Sequence, residues 1–564
     1  MTAGSDGAIR LGGLSSGFDT ESIIDSMLAS DQGRIDRLLE KKEINKAKIQ
    51  TWEDISEQFK LFAETVTKLR ATGTGGDTLF DNKSVSSSNQ SVVSSLATSR
   101  ANVGSYKLVV NNIARSEVQY GQQKSSSFTV SAGTFTLNGA TITTSGGETL
   151  DEVANLINLG GYSAGEELIA NVIDDRLVLQ TKNTGANFSI YGASSGSPPF
   201  NPASDDPNSI LQSELEIIDT SGNFLNTAQT SADADLSING VPVTSSTNTI
   251  DDAISGISFT LHSTGSSNVN VSHDTEQVKA TITDFVDIYN ETRDLISRIR
   301  NAKLDEDDAF GLFSNDSLLR GLFNSMRSFA SSSVSFADGD WNGGNPTAQA
   351  ANAGSSTLNI DNLDTSAANL YAGDTFHIVG VDQSYTLTQD ATVSSGSATI
   401  EFYPPLQQAV AANADLRPTT YSLEEIGVGT RTDTVSGIEG VMGIIDSGKL
   451  DTMMETDMGT IKKIFNRFHE TDSSRTGIAR KFYDWIDSQV KISPYLSKTR
   501  SIQDIAVPGL EERNEGIDAQ VRRLEDMLES KRTSLVRKFA EMENAISESQ
   551  SVGASLGQFG GGGG

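Results

Sequence analysis

The 564-residue sequence contains no cysteine, which excludes disulfide bonds, thiolate metal sites and cysteine nucleophiles. Proline is scarce, at 11 residues against 51 glycines, so the composition favours folded domains with flexible turns over a proline-rich scaffold. No apolar run approaches the roughly 20 residues that cross a bilayer, and MTAGSDGAIR at the start lacks the features of a cleaved signal peptide. We therefore expect no membrane insertion, and the length predicts about four domains rather than one core.

Positively charged residues are also few. Lysine and arginine total 43 against 74 aspartates and glutamates, which gives a formal net charge of −31. A field of this sign repels phosphate backbones and anionic lipid headgroups. We therefore expect neither nucleic acid nor a membrane surface as a partner, and the charge is more typical of solubility than of one acidic binding patch.

Short motifs that resemble catalytic or ligand sites are each incomplete. Residues 13–17 match G-x-S-x-G, but only a short apolar segment precedes them, so no nucleophile elbow is predicted. Residues 338–343 begin like a calcium loop, yet Gln349 stands where a bidentate glutamate is needed, and an Asp/Gly turn is favoured. The acidic run 305–308 is typical of a solvated turn, and residues 73–76 lack the Lys-Ser/Thr of a phosphate loop.

The histidines show no metal-ligand spacing. They are His262, His273, His377 and His469. With no complete motif of any kind, the sequence predicts a protein that is not an enzyme and that has no cofactor or metal.

The N-terminal residues 21–70 predict a long amphipathic helix. Its apolar residues alternate in steps of three and four, which is the a/d pattern of a coiled-coil seam. Asp19 and Thr20 are candidate N-caps, and an unbroken helix of this length would extend about 70 Å. The predicted seam residues are Ile24, Leu28, Ile35, Leu38, Trp52, Ile55, Phe59, Phe62, Val66 and Leu69.

A matching pattern occurs near the other chain end, in residues 501–556. Its seam residues are Ile517, Val521, Leu524, Leu528, Leu535, Phe539, Met542 and Ile546. A long helix cannot bury its stripe against itself, so one interpretation pairs the two ends as a coiled-coil leg, in which each buried seam side chain contributes roughly 1.5 to 3 kcal/mol. The alternative is two separate helices packed on separate cores. Residues 557–564 are expected to form a flexible glycine tail.

Residues 71–271 predict antiparallel β-rich head domains, because they are rich in Ser, Thr, Val and Gly with strand-like alternation. Asn138-Gly139 and Asn239-Gly240 each separate two alternating strands, which is a strong hairpin signal. Thr149 and Thr249 each precede an acidic pair that could open a helix. A hairpin-plus-helix unit is therefore predicted twice.

The rest of the chain predicts helical stem segments at residues 272–330 and 419–500, separated by a second β-rich insertion at 331–418. The predicted fold class is therefore α+β and multidomain. In this prediction the N- and C-terminal helices form a coiled-coil leg, and antiparallel β-rich head domains are inserted between them.

The segment IRLGGLSSGFDTESIIDSMLASDQGRIDRLLEKK resembles the N-terminal signature of the flagellar filament cap family, also called hook-associated protein 2. A G-L-x-S-G-x-D motif of that family is matched by Gly13, Leu14, Ser16, Gly17 and Asp19. Further segments similar to the family are residues 251–291, 440–465 and 538–556. Residues 331–418 depart from the family's common core, and their role stays open.

The resemblance implies a structural assembly protein at the distal end of the bacterial flagellar filament, where it promotes the folding and insertion of secreted flagellin. Its implied partners are flagellin, further copies of itself in a ring, hook-filament junction proteins and a flagellar type III export chaperone. The implied location is extracellular at the flagellum tip, or periplasmic if the flagellum is periplasmic. Residues 1–20 would be a flexible export region for the flagellar type III pathway.

Two alternative functions remain open at the level of sequence. The first is another flagellar axial protein, a flagellin or a hook-filament junction adaptor, because these also have helical termini and β inserts. The second is an adhesin that binds mucin or glycans through its β domains. For that function Trp341, Tyr371, Phe402 and Tyr403 are candidates only if they cluster on the surface.

Overall fold

A computed structural model describes residues 19–70, 78–190, 201–301, 313, 316–337, 341, 345–363, 369–381, 383–431, 440–468, 473–492 and 499–560. The matched motif residues Gly13, Leu14, Ser16 and Gly17, the acidic run 305–308 and the turn residues 338–340 lie outside this part of the chain.

Long helices occupy both ends of the described chain, and shorter helices occupy its middle and its C-terminal third. The α-helices are α1 (Thr20–Lys68), α2 (Leu150–Asn158), α3 (Pro202–Asp205), α4 (Thr275–Asn301), α5 (Ser317–Ala330), α6 (Ser447–Thr456), α7 (Met458–Asn466), α8 (Ile478–Gln489) and α9 (Val507–Gly560). A π-helical turn, Ser501–Ala506, leads into α9.

The strands of residues 83–273 are β1 (Lys83–Ser87), β2 (Val93–Ala97), β3 (Gly104–Asn112), β4 (Val118–Tyr120), β5 (Ala132–Leu137), β6 (Ala140–Ser145), β7 (Leu168–Ile173), β8 (Arg176–Thr181), β9 (Thr227–Gln229), β10 (Ala234–Ile238), β11 (Val241–Ser245), β12 (Thr249–Ile254), β13 (Ile257–Leu261) and β14 (Gly265–His273).

The strands of residues 334–444 are β15 (Val334–Ser335), β16 (Thr347–Ala348), β17 (Thr357–Asp361), β18 (Asn369–Leu370), β19 (Thr375–Ile378), β20 (Ser384–Leu387), β21 (Ala391–Thr392), β22 (Ala398–Tyr403), β23 (Ala414–Pro418), β24 (Thr420–Tyr421), β25 (Val428–Arg431) and β26 (Val441–Ile444). The strand pairs are antiparallel, and terminal helices flank the sheets, so the predicted α+β class is confirmed.

The chain divides into two compact units. Unit 1 comprises residues 1–72, 280–450 and 459–564, and unit 2 comprises residues 73–279 and 451–458. The terminal helices α1 and α9 therefore belong to the same unit, although they lie at opposite ends of the sequence.

Unit 2 is built from antiparallel sheets over two hydrophobic cores. A five-stranded sheet has the order β1-β14-β3-β10-β11, and a four-stranded sheet has the order β7-β8-β4-β9. The predicted hairpins are confirmed at β5–β6 and β10–β11. In their turns Asn138 and Asn239 have φ of 43° and 51°, followed by Gly139 and Gly240 at 78° and 84°. Positive φ at both central residues is what a type I′ turn requires.

The helix predicted after the first hairpin is present, and the one predicted after the second is wrong. Thr149 and Glu152 form a capping box at the start of α2, whose apolar residues face a core. Thr249 instead begins strand β12, which pairs with β13 in register Ile250 to Phe259. The chain reverses at Gly256, whose φ is 80°. Too few residues separate Thr249 from this turn for a stable helix.

Unit 1 contains a closed six-stranded barrel within the predicted insertion 331–418, with the strand order β16-β17-β22-β20-β19-β23. Its core is aromatic: the Trp341 and Phe376 rings stack with centroids 5.3 Å apart, and the Phe402 ring packs edge-on against Phe376 at 5.6 Å. Trp341 Nε1 donates a hydrogen bond to Asp374 Oδ2 at 2.9 Å, so the buried indole has a polar partner.

Two predicted boundaries need correction. Residues 428–431 and 441–444, assigned to a helical stem, pair instead as the antiparallel strands β25 and β26. Gly427, just before β25, has a φ of 77°, and Gly429 and Gly443 face each other across the strands, which is a poor sequence for a helix. Residues 557–560, assigned to a flexible tail, are helical in α9. One glycine costs about 1 kcal/mol in a helix, and a long helix that is already formed tolerates such a cost.

Candidate assembly site

The start of α1 is fixed by a side-chain cap. Asp19 Oδ1 accepts a hydrogen bond from the Ser22 amide at 3.1 Å, which satisfies a donor that the helix itself leaves unpaired. Glu21 adds negative charge in the first turn, where the helix dipole favours it. Of the two predicted caps, Asp19 has this role and Thr20 is the first helical residue.

The outer half of α1, residues 20–45, packs on α9 through an apolar seam. Ile35, Ile517 and Val521 form its buried centre, and Leu38, Leu524 and Leu528 are partly buried around them. Ile35 is 3% exposed. Ile24 and Leu28, nearer the start of α1, are also buried. The structure thus packs part of the predicted N-terminal seam, Ile35 and Leu38, against part of the predicted C-terminal seam. The C-terminal residues are Ile517, Val521, Leu524 and Leu528.

Polar contacts along this seam define its direction. Lys42 Nζ lies 2.5 Å from Asp518 Oδ1, and Asn45 Nδ2 donates a hydrogen bond to Asn514 Oδ1 at 2.9 Å. Toward the start of α1, Lys531 Nζ lies 2.8 Å from Asp31 Oδ2. Residue numbers fall along α1 as they rise along α9, so the two helices are antiparallel. We call this antiparallel pair, α1 residues 20–45 with α9 residues 514–532, the helix pair.

The ion pairs at the helix pair perturb the carboxylates that take part in them. A hydrogen bond from Lys42 is the main cause that lowers the pKa of Asp518. A hydrogen bond from Lys531 likewise lowers the pKa of Asp31. Arg532 extends the same arrangement, because its Nη2 lies 3.2 Å from Asp25 and 3.5 Å from Glu21. All these groups are at least partly open to solvent, so the pairs specify register more than they add stability.

The inner half of α1, residues 46–68, packs on other helices instead of α9. The prediction of one continuous seam between the two chain ends is therefore wrong for this half. Trp52, Ile55, Phe59, Phe62, Val66 and Leu69 are buried in a core of several helices. The Phe62 ring lies 5.2 Å from Phe482 of α8 and 6.0 Å from Phe285 of α4. The Phe59 ring lies 5.2 Å from Trp485 of α8.

The physical reason is geometric. Asn514, which lies opposite Asn45, is close to the beginning of α9 at Val507, so the inner half of α1 extends past the start of that helix. Its seam is aromatic, and large rings are better enclosed by several helices than by one partner. Phe482 and Trp485, absent from the predicted set, share a helix face at spacing i,i+3, which is the signal that identifies them.

The outer end of α9 extends past the described start of α1. Leu535, Phe539 and Ile546 are half-buried and Met542 is 39% exposed. Because Lys531 pairs with Asp31 and the two helices are antiparallel, Leu535 and Phe539 lie opposite the first turns of α1, where Ile24 and Leu28 are buried. In the same register Ile546 lies beyond the described start of α1, so its predicted pairing falls outside the described residues.

The candidate glycan-binding aromatics do not form one surface cluster. Trp341 and Phe402 are buried in the barrel core, whereas Tyr371 is exposed and Tyr403 is 69% exposed. Gln349, the twelfth residue of the calcium-like segment, donates a hydrogen bond to Asp361 Oδ2 at 2.9 Å. Within the described residues no group of three or more His, Asp or Glu side chains is placed to hold a metal ion. In the same part of the chain no helix is both long and apolar enough to cross a bilayer.

Paired terminal helices with antiparallel β domains inserted between them in the sequence define a multidomain α+β protein. Family comparison identifies the family. The model described as "Flagellar hook-associated protein 2 C-terminus" matches residues 231–343 and 381–551, and the corresponding N-terminus model matches residues 16–117. The C-terminal match alone covers more than half of the chain, so the chain belongs to the flagellar hook-associated protein 2 family.

Individual relatives agree with this assignment. The chain is 28% identical to the A-type flagellar hook-associated protein 2 of Pseudomonas aeruginosa over 340 residues, which cover 56% of this chain and 69% of the relative. A flagellar hook-associated protein 2 of Aeromonas caviae is 23% identical over 57% of this chain and 70% of its own length. A crystal structure of the flagellar cap protein from Escherichia coli aligns with 82% of this chain and 99% of that chain, with 19% identity and a TM-score of 0.45.

The family is a structural one whose role is to cap the flagellar filament. Its members act at the filament tip, where they form oligomers and interact with flagellin. The two alternative functions considered from the sequence, another axial protein and an adhesin, are not favoured. The C-terminal family model leaves residues 344–380 unmatched, and these residues contain β16 to β19 of the barrel. The barrel is thus in part an addition to the regions that the family models match.

Proposed function

We propose that this chain caps the distal end of the filament as a ring-shaped homo-oligomer and promotes the folding and insertion of secreted flagellin beneath it. The observation that carries the proposal is the helix pair, which joins both chain ends in one rod within a member of the cap family. In this proposal the rods contact the growing filament end and the β domains form the plate above it.

The proposed action is mechanical, and no covalent bond is made or broken. A ring whose symmetry does not match that of the filament leaves one subunit position open, and flagellin enters there as the ring moves. The ion pairs along the helix pair suit this use, because they fix the register of the two helices while remaining close to solvent.

The proposed route and partners follow from the same assignment. The chain would leave the cell through the flagellar type III pathway with the help of an export chaperone, and residues 1–20 would serve as the export region. It would then rest on hook-filament junction proteins before any flagellin is added. Its location would be the flagellum tip, outside the cell or in the periplasm.

Deletion of the gene in its source bacterium tests the proposal. The expected result is unpolymerised flagellin in the medium, with filaments absent or stubby. Expression of the full chain should restore filaments, whereas a chain that lacks residues 507–560 should not, because it lacks one helix of the pair. Normal filaments in the deletion strain would contradict the proposal.

A further inference from the structure

The two Asn-Gly turns of unit 2 share a backbone conformation and differ in their surroundings. Both place asparagine and glycine at positive φ. Asn138 is 5% exposed, whereas Asn239 and Gly240 lie exposed at the tip of the β10–β11 hairpin. Asparagine is a chemically labile residue, and a following glycine has no Cβ to hinder attack on its side-chain amide. Any difference in reactivity between the two turns therefore comes from the surrounding structure.

The relevant reaction is an internal displacement at the asparagine side chain. The backbone nitrogen of the following glycine loses its proton to a base in the solvent and forms a bond to Cγ. The Cγ–Nδ2 bond breaks, and Nδ2 leaves as ammonia after taking up a proton, so the product is a cyclic succinimide. Water then opens the ring: cleavage at Cγ gives aspartate, and cleavage at the backbone carbonyl gives isoaspartate, in which the main chain runs through Cβ and Cγ.

At Asn239 the carbonyl oxygen is hydrogen-bonded and the leaving nitrogen is open. The backbone N–H of Lys107 donates to Asn239 Oδ1 at 2.8 Å, and this oxygen is the atom on which negative charge develops during the attack. A donor already placed on a developing oxyanion stabilises the transition state. Within the described residues Asn239 Nδ2 donates no hydrogen bond, and neither does the Gly240 amide. A Cβ placed on Gly240 would meet none of these residues within 4 Å, so the ring has room to form.

At Asn138 the leaving nitrogen itself is held. Asn138 Nδ2 donates hydrogen bonds to the carbonyl oxygens of Glu166 and Ser189, both at 3.2 Å. Attack on Cγ requires both bonds to break, and it leaves buried acceptors without their donor. Leu137 and Ala140, on either side of this turn, are buried in a hydrophobic core, so movement of Asn138 also disturbs closely packed side chains. The surroundings of this turn therefore oppose the reaction.

We propose that Asn239-Gly240 is a site of spontaneous succinimide formation and hydrolysis, and that the hydrogen bonds of Asn138 protect the other turn. The reacting group is the side-chain amide of Asn239, and the co-reactant is solvent water. Isoaspartate at this position adds a backbone carbon to a tight turn. That turn is held by a hydrogen bond from Asn239 N to Lys107 O at 2.8 Å and by the register of β10 with β11. The longer turn does not fit this register, so β11, at the edge of its sheet, should loosen.

Peptide mapping of the full wild-type chain by mass spectrometry tests the site. After incubation at mildly alkaline pH, which speeds loss of the glycine amide proton, conversion at Asn239 should exceed conversion at Asn138 by about tenfold, because two hydrogen bonds hold the leaving nitrogen of Asn138. In urea the surrounding structure is lost, and the two dipeptides should convert at rates within about twofold of each other. Equal or faster conversion at Asn138 in the folded chain would overturn the site. So would an unreacted Asn239 in the folded chain under conditions in which the denatured chain reacts.

Hydrogen exchange of the β11 amides tests the consequence. Wild-type chain that contains isoaspartate at position 239 should exchange these amides about tenfold faster than fresh chain, because an edge strand opens readily once its turn is altered. Asn239→Asp, which has the charge of the product and an ordinary backbone, should stay close to the fresh wild type. Asn239→Gln, whose longer side chain forms the corresponding ring far more slowly, should show no such increase after the same incubation. Equal exchange in Asn239→Asp and the isoaspartate chain would overturn the proposed effect on the turn, and an equal increase in Asn239→Gln would place the reaction at another residue.

Discussion

Lys42 Nζ and Asp518 Oδ1 lie 2.5 Å apart, in an ion pair that joins residues 476 positions apart in the sequence. Asn45 and Asn514 form the neighbouring contact on the same side of the helix pair. Loop closure over so long a segment costs entropy, so the apolar seam around Ile35 and Val521 must supply the favourable free energy. The polar contacts then select one register from those that the seam would allow.

The ion pairs of Asp518 and Asp31 give the helix pair a specific pH dependence. Their folded-state pKa values lie below the ordinary value of about 3.9. The stabilisation is therefore present above about pH 4 and is lost as the pH falls through the lowered pKa. Hydrogen exchange of α1 and α9 should be faster in Asp31→Asn/Asp518→Asn than in the wild type at pH 7, and the difference in opening free energy should be smaller at pH 3. An equal difference at both pH values would show that charge is not the cause.

The buried centre of the seam should control the stability of the helix pair. Ile35→Ala should cost about 2–5 kcal/mol, because the side chain is buried and the cavity cannot collapse fully. Met27→Ala on the same helix is the matched control, since Met27 is 51% exposed and should change stability by less than about 0.5 kcal/mol. Local opening can be measured by hydrogen exchange of the α9 amides. Equal effects of the two substitutions would argue against a buried seam at Ile35.

Asn158 should protect an edge strand of unit 2. Its Nδ2 donates to the Ala170 carbonyl at 2.8 Å and its Oδ1 accepts from the Ala170 amide at 2.7 Å, so a side-chain amide occupies the free edge of β7. Asn158→Ala should cost about 1–3 kcal/mol and leave that edge open to pairing with other chains. Faster exchange of β7 amides and increased aggregation are expected. Asn155→Ala, an exposed substitution on the same helix, should cause neither.

The two threonines that the sequence treats alike should differ when substituted. Thr149→Ala removes the capping box of α2 and should cost about 0.5–2 kcal/mol. Thr249→Ala lies at the start of edge strand β12 and should have less than half of that effect. Hydrogen exchange of α2 and β12 peptides measures both. A larger loss of stability in Thr249→Ala than in Thr149→Ala would contradict the helix-capping role of Thr149.

Local signals predict the elements of this fold better than their partners. Asn138-Gly139 and Asn239-Gly240 specify their hairpins because few other residues adopt positive φ at both turn positions. Thr249 shows the limit, since Thr-Ile-Asp-Asp is compatible with a helix start or with a strand. This segment forms a strand because β12 pairs with β13, and β13 lies outside the motif.

The same limit applies to the candidate site. The predicted seam residues of 21–70 are buried except Leu38, which is partly buried, yet the periodicity does not distinguish the outer residues that contact α9 from the inner residues that contact α4 and α8. Both halves use the same three-four spacing. The packing partner of α1 changes from α9 to α4 and α8 at the point where α9 begins, at Val507. Which residue of α1 faces Val507 depends on the tertiary structure, so the sequence pattern does not reveal it.

Cross-linking of the two chain ends tests the helix pair most directly. Because the sequence has no cysteine, Asn45→Cys/Asn514→Cys introduces one defined pair of thiols where two side chains already touch. A short bis-maleimide should link these thiols within one chain at high yield in dilute protein. Asn45→Cys/Met527→Cys, in which the second thiol lies about 20 Å further along α9, should give little product. Equal yields from both pairs, or none from the first, would contradict an antiparallel pairing of the chain ends in this register.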